Sequence, residues 1–321
     1  MRTVGVDLGG TNTYTLVVEG DGRRTGSSKM KTPLSGDHLG VIDVIETGVR
    51  AACDDAGIAL DDVDAVGIGT PGVVIDGTVG GASNVPGWSE RFSLGDMLGD
   101  RLGRPIRVAN DVTAAAVGEH RYGAGEGIDD LLVVFVGTGV GAGLVLHGAP
   151  YEGASGGAGE FGHMVIVKDG AICPCGRRGC IEAYAGRRAM EQAAERARMT
   201  GDDTILFEVM ERKGKHRPTS GVFKAALEEG DQLTADLLHE GIAALAAGIA
   251  SAVNLLDVEA VVVGGGLADK LGSWFQIRLE AAMRPHLFLQ PPEVRLLPAR
   301  LGDESGAIGA AILARDAVAG G

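Results

Sequence analysis

Residues 3–8 and 13–18 carry the apolar-rich pattern of two strands, and Gly9-Gly10-Thr11-Asn12 lies between them. This predicts a β-hairpin with a glycine-rich tip. Apolar positions then recur at helical spacing, at Ile42, Ile45, Val49, Cys53 and Ala56. A strand over 63–69 ends at Thr70-Pro71-Gly72, and one over 106–109 runs into Asn110-Asp111 and an Ala-rich helix over 112–120. A second hairpin resembles the first, with strands over 131–136 and 142–146 flanking Gly137-Thr138-Gly139-Val140-Gly141. Helices follow near 182–199 and 234–256, then a strand over 260–263 ending in Gly264-Gly265-Gly266, and a last helix near 305–318. The stretch 200–232 is the most polar, with no usable period. Strands alternating with helices predict an α/β fold. The two strand–turn–strand units predict a duplicated architecture, each half supplying one phosphate-facing turn, with a nucleotide in the cleft between the halves.

Composition narrows the class. The chain has 321 residues, 45% of them hydrophobic, enough for a substantial core and about two domains. Glycine accounts for 53 residues, more than double the usual share of about 7%. The glycines cluster between apolar strands, where they let backbone approach a ligand. A net charge of −14 disfavours nucleic acid as a partner and fits a soluble, cytoplasmic protein. No signal-peptide core and no uninterrupted apolar span of membrane length is visible, so no membrane association is expected.

Three of the four cysteines fall within eight residues, in Cys173-Pro-Cys175-Gly-Arg-Arg-Gly-Cys180, and His163 lies ten positions upstream. Three thiolates and an imidazole suit Zn²⁺, and a closed four-ligand set reads as a structural site. Cys53 sits on the apolar face of a predicted helix and reads as an inert core residue. Glu160 and Glu182 bracket the cluster. Paired acceptors of this kind suit the vicinal hydroxyls of a sugar, although a solvated surface position is the plainer reading for a glutamate.

The turn residues Gly9, Gly10, Thr11 and Asn12 offer backbone N–H groups and a hydroxyl to phosphate oxygens, or simply close a tight hairpin. The similar turn Gly137, Thr138, Gly139 favours the phosphate reading. Neither is a Walker loop, and neither is followed by the helix of a dinucleotide fingerprint. Asp7, beside the first turn, suits a phosphate-bound Mg²⁺ held through water; an Asx-turn is the alternative. Asn110 or Asp111 caps the following helix, while a carboxylate at Asp111 also suits proton abstraction from an attacking hydroxyl. Gly264, Gly265 and Gly266 admit a nucleotide base or ribose against backbone, or mark a plain strand-to-helix turn.

With Gly69-Thr-Pro-Gly72, Asn84-Val-Pro-Gly-Trp88, Gly157-Ala-Gly-Glu160-Phe-Gly-His163 and the Cys173–Glu182 run added to these turns, the chain resembles the ROK-family sugar kinases, and among them the bacterial glucokinases. The matching pieces run in the family's order from residue 5 to about 310. Ala109 and Ala142 depart from residues common in the family. The resemblance implies a two-lobed actin/heat-shock-70/hexokinase-like (ribonuclease H-like) fold with ATP and sugar in the interlobe cleft. It implies one lobe of residues 1–117 plus 305–321 and a second of 118–304 carrying the zinc site. It implies Asp111 as general base, sugar contacts from Gly72, Asn84, Asn110, Asp111, Glu160, His163 and Glu182, and zinc on His163, Cys173, Cys175 and Cys180. Asp7, Gly9, Gly10, Thr11, Asn12, Gly137, Thr138, Gly139, Gly264, Gly265 and Gly266 would serve Mg²⁺ and ATP. A homodimer or homotetramer is expected. Other hexoses, N-acetylhexosamines such as N-acetylmannosamine, and polyphosphate as donor stay open. A sugar-sensing repressor is the contrasting reading; it would need a helix-turn-helix ahead of the turn that begins at Gly9.

Overall fold

The computed structural model describes residues 1–34, 36–82, 85, 87–290 and 293–320. In chain order it begins with β1 (Arg2–Leu8), β2 (Asn12–Glu19), β3 (Arg24–Lys31), α1 (His38–Ala56), β4 (Ala65–Thr70), β5 (Val73–Ile75), β6 (Thr78–Gly80), β7 (Phe92–Ser93), α2 (Leu94–Leu102), β8 (Ile106–Asn110) and α3 (Asp111–Tyr122). There follow β9 (Leu131–Val136), β10 (Val140–Leu146), β11 (Ala149–Pro150), α4 (Glu182–Ala185), α5 (Arg187–Thr200), α6 (Leu206–Arg212), α7 (Ser220–Glu228) and α8 (Gln232–Leu256). The chain closes with β12 (Ala260–Gly264), α9 (Gly266–Leu271), α10 (Ser273–Met283), β13 (Arg295–Pro298) and α11 (Ser305–Ala319).

The duplication expected from the two hairpins is visible in the sheets. One has the order β3-β2-β1-β4-β8 and the other β11-β10-β9-β12-β13. In the first, β1 pairs antiparallel with β2 and parallel with β4, which pairs parallel with β8. In the second, β12 runs parallel to both β9 and β13, and β10 pairs antiparallel with β11. A small third sheet joins β5, β6 and β7.

The chain forms two compact units. The first comprises Met1–Asp129, Gly143–Gly159 and Arg300–Gly321, and the second Asp130–Ala142 and Glu160–Ala299. The expected boundary at 117 falls inside α3, which stays whole in the first unit. The expected boundary at 304 lies at 299 instead, for a physical reason. The fully buried Glu119 carboxylate on α3 accepts the backbone N–H groups of Ala124, Arg300 and Leu301 at 2.8–3.1 Å, and so ties the entry to α11 onto α3.

Alternation along β1 builds the first unit's core. Val4, Val6 and Leu8 point to one face, where Ile42, Ile45 and Val49 of α1 and Leu94 and Leu98 of α2 cover them. Leu16 and Val18 of β2 face the other side with Ala114 and Val117 of α3 and Ala307–Leu313 of α11. On this face the strands carry glycine: a Cβ on Gly5 would collide with the carbonyl oxygen of Ala307, and one on Gly67 with that of Ala310. Helix α11 therefore lies directly on the backbone of β1 and β4. Asp7 shares this face. Gly306 leaves room for it, since a Cβ there would stand 2.7 Å from the Asp7 carboxyl carbon.

In the second unit α8 is the central helix. It is long and apolar enough to cross a membrane by length and composition. Leu238, Leu245, Ala246 and Ile249 are nonetheless at most 1% exposed, and α4, α5, α7 and α10 pack around it. The stretch 200–232 holds α6 and α7, whose Leu206, Phe207, Val222 and Phe223 join the core. The helix expected over 182–199 is interrupted at Gly186, which separates α4 from α5.

Candidate active site and metal centre

In the first unit, parallel register gathers the expected residues at the carboxyl ends of three strands, where open α/β sheets bind ligands. Asp7 of β1 is level with Gly69 of β4, and Thr70 of β4 with Asn110 of β8. Asn110 caps α3: its side-chain oxygen accepts from the N–H groups of Val112 and Thr113 at 3.0 and 3.2 Å, and its amide donates to the Gly72 carbonyl at 3.2 Å. Asp111 is the first residue of α3, and its Oδ1 accepts the N–H of Val112 at 2.9 Å. Asn84, expected to contact sugar, lies outside the described residues.

The turn between β1 and β2 is closed by the Gly9 N–H donating to the Asn12 carbonyl at 3.0 Å. The Thr32 N–H donates to the Thr11 carbonyl at 3.1 Å, and the Thr32 hydroxyl to the Gly9 carbonyl at 2.7 Å. Lys31 adds a cation: its Nζ donates to Asn12 Oδ1 at 2.9 Å. A cavity of about 460 Å³ is lined by Asp7, Asn12, Tyr14, Lys29, Asp303 and Glu304. Burial, with further repulsion from Asp111 and Asp303, pushes the Asp7 carboxyl up to about 7. The Asp7, Asp303 and Glu304 carboxylates that line the cavity make a donor set of hard oxygens that fits a divalent cation such as Mg²⁺. Lys29, Lys31 and Asp303 are additions to the residues expected from sequence. Lys29 and Lys31 reach the site only through the register Tyr14↔Lys29 and Asn12↔Lys31, and Asp303 only through the fold.

In the second unit the ligand atoms of His163, Cys173, Cys175 and Cys180 all lie within 4.8 Å of one another. His163 Nδ1 is 3.7 Å from Cys173 Sγ, and Cys175 Sγ is 3.8 Å from Cys180 Sγ. Two ligands about 2.3 Å from a tetrahedral ion stand roughly 3.8 Å apart, so these edges fit zinc. Burial pushes the Cys173 thiol up to about 12. For Cys175 burial also acts upward, but hydrogen bonds from the Arg177 backbone and neighbouring thiols outweigh it and bring this thiol down to about 7. The imidazole turns Nδ1 to the thiols and leaves Nε2 3.8 Å from the Glu160 carboxylate.

Glu182 opens α4 and is only partly exposed. Its Oε2 accepts the N–H of Val140 at 2.9 Å, and its Oε1 is 4.0 Å from Cys173 Sγ. It thus stands against both the His163/Cys173/Cys175/Cys180 cluster and the turn Gly137–Gly139. That turn is also held by α5: the N–H groups of Arg187 and Arg188 donate to the carbonyls of Gly137 and Thr138, both at 3.1 Å. Gly264 ends β12 level with Phe135. Gly265, with φ of 92°, makes the left-handed step into α9, which begins at Gly266.

Residues 3–317 match the family model described as "ROK family". The chain is 33% identical over 325 residues to a glucokinase of Streptomyces coelicolor, covering 98% of both chains. It is 30% identical to an N-acetylmannosamine kinase of Shigella boydii, covering 98% of this chain and 99% of that one. A solved structure of a ROK family glucokinase from Streptomyces griseus, in complex with glucose and AMPPNP, superposes with a TM-score of 0.83 at 35% identity, covering 98% of this chain and all of that one.

Proposed function

The chain belongs to the ROK family, and from that premise we propose that it transfers the terminal phosphoryl group of Mg-ATP to the 6-hydroxyl of glucose. It is an ATP-dependent sugar kinase with the two-lobed actin-like kinase fold. The observation that carries the residue-level reading is the division of labour at α3. Asn110 supplies the cap, and Asp111 belongs to the same acidic group as Asp7 and Asp303. Asp111 then takes the proton from the attacking hydroxyl. Asp7 would hold Mg²⁺, which would supply charge neutralisation at the phosphates. The turns Gly9–Asn12 and Gly137–Gly139 receive the phosphates, and Gly264–Gly266 face the nucleoside. Gly72, Asn84, Asn110, Glu160, His163 and Glu182 orient the sugar. Zinc on His163, Cys173, Cys175 and Cys180 is structural and does no chemistry of its own.

We further place the protein in the cytoplasm as a homodimer or homotetramer that binds neither nucleic acid nor membrane. N-acetylmannosamine is the second substrate reading, favoured by the 30% identity over nearly the whole chain to a kinase of that sugar. The decisive experiment is ADP release over a panel of hexoses and N-acetylhexosamines, with polyphosphate as a parallel donor. Glucose at the highest kcat/KM with ATP supports the reading. Preference for another sugar or donor replaces the substrate, and sugar-independent ATP hydrolysis alone overturns the kinase assignment.

A further inference from the structure

We infer that Arg187 is a positioning residue for the phosphate-facing turn: its guanidinium holds the Thr138 hydroxyl so that the hydroxyl proton is presented to a phosphate oxygen. The inference rests on the kinase reading and assigns a device within it. Arg187 is the first residue of α5, and its side chain is only 8% exposed. A buried guanidinium needs fixed acceptors, and three are present. Nη2 donates to Thr138 Oγ1 at 2.8 Å, and Nη1 donates to the Pro218 carbonyl at 3.2 Å and to the Glu191 carboxylate one turn on.

The chemistry of the first bond has a direction. Arginine only donates, so Thr138 Oγ1 accepts here, and its single proton must point elsewhere. A charge-assisted bond to the oxygen also polarises the O–H for donation to an anion. The backbone reinforces the arrangement. Arg187 grips Gly137 through its N–H and Thr138 through its side chain, using at the start of α5 an N–H with no partner inside the helix. Glu191 in turn interacts with the guanidinium groups of Arg187, Arg188 and Arg217. Pro218, whose carbonyl fixes Arg187, lies in the polar stretch 200–232, which thereby gains a role beside the turn.

A double-mutant cycle tests this. Thr138→Val and Arg187→Gln are each expected to lower kcat/KM for Mg-ATP about tenfold, with the KM for the sugar within twofold. Because Arg187 acts through the hydroxyl, the double variant should lose about the same tenfold. A multiplicative loss near a hundredfold, or an equal rise in the KM for the sugar, overturns the inference and leaves the kinase reading intact. No sugar-dependent ADP formation by the unmodified protein overturns both. Arg187→Met, which has no donor, replaces Arg187→Gln in the cycle if circular dichroism shows the latter unfolded, with the same outcomes.

Discussion

The Oε2 atom of Glu182 accepts the N–H of Val140 at 2.9 Å, while its other oxygen lies 4.0 Å from Cys173 Sγ. One carboxylate therefore connects the loop proposed to hold zinc to the turn proposed to receive phosphate. Removing zinc should raise the KM for Mg-ATP as well as for sugar, each by roughly tenfold, the low end of the effect of disturbing a metal's supporting contacts. Steady-state kinetics before and after dialysis against a chelator, with restoration by Zn²⁺, measures this. An unchanged nucleotide KM in metal-free, folded protein would break the link. The native protein should carry about one zinc per chain, and less than about half an equivalent counts against the site.

Asp111→Asn should leave sugar binding within about twofold and cut kcat by about 10² or more, the size of general-base effects. Asn110 caps α3 independently of this residue, so the helix should persist. Calorimetric sugar binding and single-turnover kinetics separate the two effects, and near-normal turnover would remove the base assignment.

Asp7 carries a pH signature. Its carboxyl stands near 7 in the folded protein, from burial first and then Asp111 and Asp303, against about 3.9 in an unfolded chain. Between these values the folded state binds the extra proton, so stability falls as pH rises through the window and levels off above about 7. Asp7→Asn should therefore stabilise the Mg²⁺-free protein at pH 8, by an amount on the order of a few kcal/mol, and change little at pH 4. Denaturant melts at the two pH values test the difference. Equal shifts at both would mean that Asp7 is not held protonated by its surroundings.

Gly67→Ala should destabilise the first unit by about 3 kcal/mol or more. The added methyl would meet the Ala310 carbonyl oxygen, and a helix backbone yields less readily than a side chain. Gly57→Ala is a useful contrast. That glycine ends α1 in the left-handed conformation with open space around it, so its cost should stay nearer 1 kcal/mol. Thermal unfolding of the two variants gives the comparison.

What was legible in the sequence was local. The cysteine spacing and His163 predict a cluster because the ligands sit on one short loop, and their atoms do converge. The two glycine-tipped hairpins predict the duplicated sheets, since period and turn chemistry both act within a few residues. Features made by register or tertiary packing were not legible. Lys31 reaches the first turn only as the cross-strand partner of Asn12. Arg187 is one charge among many along a polar helix, and only its burial and its bond to Thr138 set it apart. Helices α6 and α7 are too short, at 7 and 9 residues, for a period to rise above their charged neighbours. The break at Gly186 leaves no clear mark in the sequence, because a single glycine is tolerated inside a helical pattern.

The seat of α11 on Gly5 and Gly67 has a consequence for how the molecule is made. The face of β2 and α3 that carries Leu16, Val18, Ala114 and Val117 is covered by Ala307–Leu313. A ribosome delivers those residues only after all of the second unit. At about 5–20 residues per second, the first unit waits roughly ten to thirty seconds with this surface open. During synthesis the second unit, Asp130–Ala142 with Glu160–Ala299, is thus the first to hold every residue it needs. Strands β1 and β2, made before the second unit, complete their layer only when α11 arrives.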